Sequence, residues 1–181
     1  KLTIDTDKDG KVDQYGWAIV GTPNGSGQGR FSQVVRNSGG YNYRETAAGK
    51  WESGAMTKGY LDALTLYQDA VKEGVVPPGY TSTGYPEASA QIANGKGVMM
   101  ITGPHSLGII MKANPALDGK IGGFPMPTNN GASPVTTLGN LGYAVSKSGK
   151  NKPLAIEYIK FQLSTKYQLA YNKVEWRLPS R

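Results

Sequence analysis

Cysteine is absent from the 181 residues, and histidine occurs once, at His105. Without a thiol there is no disulfide, no thiolate nucleophile and no cysteine-ligated zinc, although this composition suits an exported bacterial protein as well as a cytosolic one. With a single imidazole, no multi-histidine metal site can form, and no Ser-His-Asp or Cys-His arrangement can form without His105. Long apolar runs are also missing, since nothing approaches the ~20 consecutive residues that a membrane-crossing helix requires. A phosphate loop is lacking too, because Gly25-Ser26-Gly27-Gln28-Gly29 has no Lys-Ser/Thr ending. The 25 glycines and 11 prolines follow no period and no internal repeat appears, which excludes a collagen-like chain. There is neither a start methionine nor a charged-then-apolar leader before Leu2, so the expectation is a processed or trimmed piece.

What is present is a basic, soluble composition: 20 Lys and Arg against 13 Asp and Glu, a formal net charge of +7, with 38% apolar residues to build a core. Nucleic-acid binding would need those cations clustered or interleaved with aromatics, and they are scattered along the chain. A solvated basic surface is the expectation, with no nucleic-acid partner. The carboxylates Glu45, Glu52, Asp62, Asp69, Glu73 and Glu87 fall on helix faces or turns, and nothing pairs an acid with a nucleophile as glycoside hydrolysis requires.

Periodicity alternates between strand and helix. An apolar run over 16–21 predicts a buried strand, and Thr22 to Gly29 is too rich in breakers for any element, with a short helix over 31–37 following it. Residues 57–73 predict the clearest helix, capped by Thr57 and stopped by Gly74; a shorter one spans 87–94. Val98 to Ile101 predicts a strand, 105–113 a helix, Ile121 to Pro127 a strand, and Val135 to Val145 one or two strands. Pro153 suits the first turn of a helix carrying Leu154 to Leu163, and another helix follows near Tyr167 to Tyr171. This order argues for an α/β layered fold.

The sharpest local signal is Asp5-x-Asp7-x-Asp9-Gly10-x-x-Asp13. Alternate carboxylates around a turn-permitting glycine converge oxygens on one hard cation, as in an EF-hand loop, whose twelfth position carries a bidentate Glu. Here that position is Gly16, so the EF-hand proper is excluded and a shortened loop is expected. Ca2+ would be bound by Asp5, Asp7, Asp9, the Lys11 carbonyl and Asp13, in a structural role. The plainer alternative is an acidic surface turn.

A resemblance then enters. Ile92-Ala93-Asn94-Gly95-Lys96-Gly97-Val98-Met99-Met100-Ile101-Thr102-Gly103-Pro104 resembles the "F-x-x-G-K-A-A-M-x-x-x-G-P-W" segment of family 1 extracellular solute-binding proteins, the maltodextrin-binding group. Asn114-Pro115, Gly119-Lys120-Ile121-Gly122, Pro125-x-Pro127, Gly142-Tyr143-Ala144-Val145-Ser146-Lys147, Glu157-Tyr158-Ile159-Lys160-Phe161 and Leu178-Pro179-Ser180-Arg181 follow in that family's order. The acidic loop resembles the calcium loop of some members, including alginate-binding ones.

This resemblance implies a periplasmic-binding-protein-like (type II) two-lobe α/β fold, closing on a carbohydrate between the lobes. Residues 1–138 would be the second, C-terminal lobe with the calcium-type loop, and residues 139–181 a crossing strand and helices of an incomplete first lobe. His105 stands where many relatives place a stacking tryptophan. Arg30, Phe31, Asn140 and Tyr143 are the other candidate ligand contacts, Arg30 being suited to a uronate carboxylate. The implied protein is not an enzyme. It is the extracellular or periplasmic, lipoprotein-anchored component of sugar transport, partnered by the membrane subunits of an ABC importer. Two readings of other classes stay open: a fragment of a secreted calcium-containing carbohydrate-active enzyme, and an adhesion module stiffened by calcium.

Overall fold

In the computed structural model of the chain, which describes residues 2–129, 131, 133–137, 139 and 142–177, the apolar run after the acidic loop sends its side chains alternately to two faces. Extended backbone requires this alternation. Ala18 and Val20 face one layer, with Ala88, Ile92, Ala93 and Ile110. Ile19 and Trp17 face the other, with Ala70, Val76 and Tyr67. The strand itself, β1 (Tyr15–Trp17), pairs in parallel with β4 (Gly97–Met99), Tyr15 opposite Gly97 and Trp17 opposite Met99. Gly97 is required there, because a Cβ would sit 2.7 Å from that of Ala18. The Trp17 amide donates to Val75 on the other side at 3.0 Å, so the segment is held along both edges.

Helices cover both faces. α2 (Lys58–Lys72) packs on α1 (Gly25–Asn37) around Val34, Val35 and Ala63, while α3 (Tyr85–Ala93) and α4 (His105–Ala113) pack together on the opposite face. α2 and α4 lie where the periodicity puts them. α1 begins at Gly25, six residues earlier than the breaker-rich sequence predicts. The Asn24 side chain accepts from the amides of Ser26 and Gly27, satisfying donors that the glycines would otherwise leave to water. Capping and burial of Gly27 thus override low intrinsic propensity.

Two further differences concern strands. A hairpin of β2 (Tyr43–Ala47) and β3 (Lys50–Ser53), turning through left-handed Gly49, occupies a stretch that the sequence left without an element. Conversely, the described residues of 121–127 and 135–145 contain no strand. Among the described residues no segment pairs with them in a backbone ladder, and alternation alone does not make a strand. Val135 is instead met by one side chain: its amide donates to Asn37 Oδ1 at 2.9 Å and its carbonyl accepts from Asn37 Nδ2 at 2.7 Å.

α5 (Lys152–Gln162) and α6 (Thr165–Glu175) pack against each other, and α6 touches α4. Their remaining faces are apolar and open, with Leu154 at 64%, Phe161 at 57% and Val174 at 75% exposure. The whole chain exposes 12567 Å². A self-contained monomer of 19.3 kDa would expose roughly 8,500 Å².

Two glycines give opposite expectations. A Cβ on Gly59 would lie 2.3 Å from the Gly40 amide nitrogen and 2.6 Å from the Ser38 carbonyl, whereas one on Gly29, inside α1, meets nothing within 4 Å. Gly59→Ala is expected to lower unfolding free energy by about 2 kcal/mol or more, and Gly29→Ala to raise it by about 0.5–1 kcal/mol. Urea denaturation of both variants checks this, and a loss for Gly29→Ala or neutrality for Gly59→Ala contradicts the packing described.

Candidate functional site

The end of β4 carries a set of polar contacts that join α1, α3 and α4. Arg30, on α1, reaches over to it: Nε donates to the Ile101 carbonyl at 2.8 Å, and Nη1 donates to the Ser26 carbonyl at 2.9 Å and to Ser26 Oγ at 2.7 Å. Nη2 makes one long contact, 3.4 Å to Thr102 Oγ1, on the exposed side. The guanidinium lies 5.0 Å from the centre of the Tyr85 ring, and that ring lies 5.5 Å from His105. Ser106 donates to Tyr85 Oη at 3.1 Å and also bonds Thr102 Oγ1. Arg30, Tyr85 and His105 thus form a ladder, fixed from below by the buried Ser106 hydroxyl.

His105 starts α4 directly after Gly103-Pro104, and its ring folds back so closely that a Cβ on Gly103 would lie 2.9 Å from Nδ1. Partial burial, then the charges of Arg177 and Arg30, hold the imidazole below its ordinary value, so it is neutral at pH 7. Burial likewise lowers the Arg30 guanidinium, and the groups acting on its charge are the phenols of Tyr85 and Tyr67. Among the described residues Arg30 has no carboxylate partner. Trp176, in the left-handed conformation at the end of α6, packs against Gly108 and brings Arg177 to this region.

The other sequence-derived contacts lie elsewhere. Phe31 is committed to the core, edge-on to Tyr60 and Tyr67 at 5.3 Å each. It separates two shallow recesses, of about 110 and 240 Å³, neither of which includes Tyr85 or His105. Burial pushes the Tyr67 phenol beneath it up to about 12. Tyr143 is exposed, and its hydroxyl donates at 3.0 Å to Gln162, the last residue of α5. Asn140 lies outside the described residues. Tyr85 and Ser106 carried no sequence signal, and Thr102 lay inside the resembling stretch 92–104 without being singled out, since ordinary helix and loop positions reveal nothing of the neighbours that folding brings.

In the acidic loop, oxygens of Asp5, Asp7 and Asp13 lie within 4.8 Å of one another. Asp9 is turned from them, accepting from the Lys11 amide at 2.8 Å and the Lys11 ammonium at 3.2 Å. Bonds from the Thr6 hydroxyl and amide hold Asp13 below the usual carboxylate range. The three carboxylates suit a hard cation in charge and spacing; Asp9 as oriented does not join them.

Residues 2–169 match the family described as bacterial extracellular solute-binding protein. A Brucella abortus (strain 2308) protein named as a binding protein is 28% identical over 131 residues, 70% of this chain and 30% of that one. An ABC transporter solute binding protein from Thermotoga lettingae TMO, bound with alpha-D-tagatose, superposes with a TM-score of 0.83 at 23% identity, over 93% of this chain and 42% of its own. The maltose/maltodextrin-binding domain MalE from Bdellovibrio bacteriovorus, bound to maltotriose, superposes with a TM-score of 0.78 at 23% identity, over 99% and 45%. These likenesses establish the fold as the type II periplasmic-binding-protein class expected from the sequence. The chain spans less than half the length of each of these relatives. Among the described residues no helix is long and apolar enough to cross a membrane.

The single histidine makes one consequence directly readable. Its folded value is depressed, so the unfolded chain binds the proton more readily; the stability His105 contributes is present above ~6.5 and is lost as pH falls through the folded value. The His105 ring resonances are expected to titrate below 6.5 in the folded protein, and a midpoint at or above 6.5 contradicts the placement beside Arg30 and Arg177.

Proposed function

Because the chain belongs to the bacterial extracellular solute-binding protein family, we propose that it is part of a receptor that captures a carbohydrate outside the cytoplasm and passes it to an ABC importer. The observation that carries this reading is the Arg30–Tyr85–His105 ladder at the end of β4. A sugar presents an apolar ring face and a rim of hydroxyls, and a half-buried aromatic pair beside fixed donors offers a complement to both. The sugars carried by the superposed proteins support the same class of ligand. The receptor performs no bond chemistry. His105, neutral and partly exposed, stacks or accepts a hydrogen bond; Tyr85 supports it from beneath; Thr102 and the free edge of Arg30 meet hydroxyls.

Residues 1–138 form most of one lobe in this proposal, and 139–181 return to the other. Support comes from the surface: the chain exposes roughly 4,000 Å² more than a self-contained fold of its mass, and α5 and α6 hold much of the open apolar area. Partner importer subunits in the membrane and a lipid anchor on the full-length protein complete the proposal. The shortened loop is proposed to hold calcium through Asp5, Asp7 and Asp13, with Asp9 and the Lys11 carbonyl joining after Asp9 leaves Lys11. Like charges this close repel unless a cation compensates them.

Calorimetry of the full-length protein against a panel of neutral and acidic oligosaccharides tests the first proposal. At least one sugar is expected to bind at micromolar concentration, and His105→Ala to weaken that binding by ~1–3 kcal/mol with little change in melting temperature. Failure of every sugar sinks the proposal, whereas unchanged affinity in the variant removes His105 from the site.

Calcium is checked separately. Millimolar calcium is expected to raise the melting temperature over that in chelator, and Asp5→Asn with Asp7→Asn to abolish the rise. Absence of any calcium-dependent shift in the unaltered protein rules the metal out.

A further inference from the structure

Asn37 closes α1 with its side chain buried, at 3% exposure, and its amide oxygen and both amide hydrogens are in use. Nδ2 donates to the Gln33 carbonyl of its own helix at 2.8 Å and to the Val135 carbonyl at 2.7 Å, while Oδ1 accepts from the Val135 amide at 2.9 Å. The two bonds to Val135 are those that opposed residues exchange across an antiparallel ladder, made here by a side chain. Gln33, one turn earlier, adds to them with its amide turned to match. Its nitrogen donates to the Val135 carbonyl at 3.2 Å, and its oxygen accepts from the Thr137 amide and hydroxyl at 2.6 Å each.

The clamp grips backbone. Apolar burial does not hold this stretch, since the Val135 side chain is 44% exposed, and among the described residues no strand pairs with 133–137. A neutral primary amide suits the task because it offers a donor and an acceptor side by side; a carboxylate lacks the donor, and an aliphatic side chain lacks both and strands the groups it faces. Arg30, Gln33 and Asn37 stand at i, i+3 and i+7, on one face of α1. Arg30 spends Nε on the Ile101 carbonyl at the end of β4, and Ile101 and Met126 pack on the cluster of Val34, Val35 and Ala63. One helix thus ties the end of β4, through Arg30, to the segment 135–137, through its two amides.

We propose that Asn37, with Gln33, is a positioning residue: it sets the point and direction in which the chain leaves residues 1–138, and thereby the placement of α5 and α6 against the unit that carries the ladder. This rests on the division into lobes proposed above. The order of the chain gives the clamp that reach, because everything after Thr137 is entered through the segment that the two amides hold. Losing it changes where the later helices sit more than it changes the packing of α3 on α4, which shares no bond with Asn37 or Gln33.

The test uses the full-length protein without sugar. These 181 residues hold no cysteine, so Lys72→Cys and Lys173→Cys, at exposed positions before and after the segment, take spin labels whose separation is read by double electron-electron resonance; exchange of the Val135 amide hydrogen is followed by NMR. The doubly labelled protein is expected to give one narrow distance and slow exchange at Val135. Asn37→Leu, which keeps the volume and removes all three bonds, is expected to speed that exchange about tenfold or more and to broaden or shift the distance, while amides inside α3 and α4 keep their rates. Gln33→Leu, at a half-buried position, is expected to act in the same direction and decides the matter where the first variant does not fold. Unchanged exchange at Val135 in the folded variants overturns the clamp, and faster exchange with an unchanged distance overturns its positioning role. The lobe division is judged apart from this: a sugar from the calorimetric panel that shifts the distance in the protein with Asn37 and Gln33 intact leaves the division standing even where the clamp fails, and one that binds without shifting it removes the division.

Discussion

Four residues, Trp17 to Val20, decide the layering of this fold. Successive side chains on extended backbone point to opposite faces, and all four here are apolar, so neither face can be left to water. Trp17 and Ile19 call for α2 and Tyr67 on one side; Ala18 and Val20 call for α3 and α4 on the other. The site inherits its position from this demand. β4 joins β1 in parallel, ends at the same level, and releases the chain at Ile101 to Gly103, where the carbonyl of Ile101 meets Arg30 coming off α1. A parallel pair places such strand ends on one edge of the fold, where ligands of open α/β sheets characteristically bind.

How far the sequence disclosed this depends on whether the information was local. α2 and α4 were legible because their apolar residues recur at helical spacing and their stops are glycine and Asn-Pro. The start of α1 was hidden by glycines whose cost is met by one capping asparagine and by burial. Strands over 121–127 and 135–145 were suggested by composition, yet a strand is a relation between two segments and the partner is not in their sequence. The candidate site divides the same way. His105 was found through an ordered series of landmarks, and the carboxylates through their spacing. Tyr85 and Ser106 became visible only when α3 and α4 were brought side by side.

The distribution of apolar area has the same origin. Where α3 and α4 or α1 and α2 face each other, small residues such as Ala63 and Ala88 are sealed completely. Over α5 and α6 the large residues Leu154, Tyr158, Phe161 and Val174 stay in contact with water. Helices of this length are marginal alone and take their stability from an apolar face buried against something else. Their pairing with each other meets that need in part.

The attachment of α6 to α4 is a notch and not a broad interface. Trp176 drops its indole against Gly108, where a Cβ would approach Cδ1 to 2.8 Å. Glycine in the middle of a helix weakens it by ~1 kcal/mol relative to alanine, and here that weakness creates the seat. The seating of α6 on α4 therefore hangs on the one residue at 108, where any side chain would have to displace the Trp176 indole before the two helices could meet as they do.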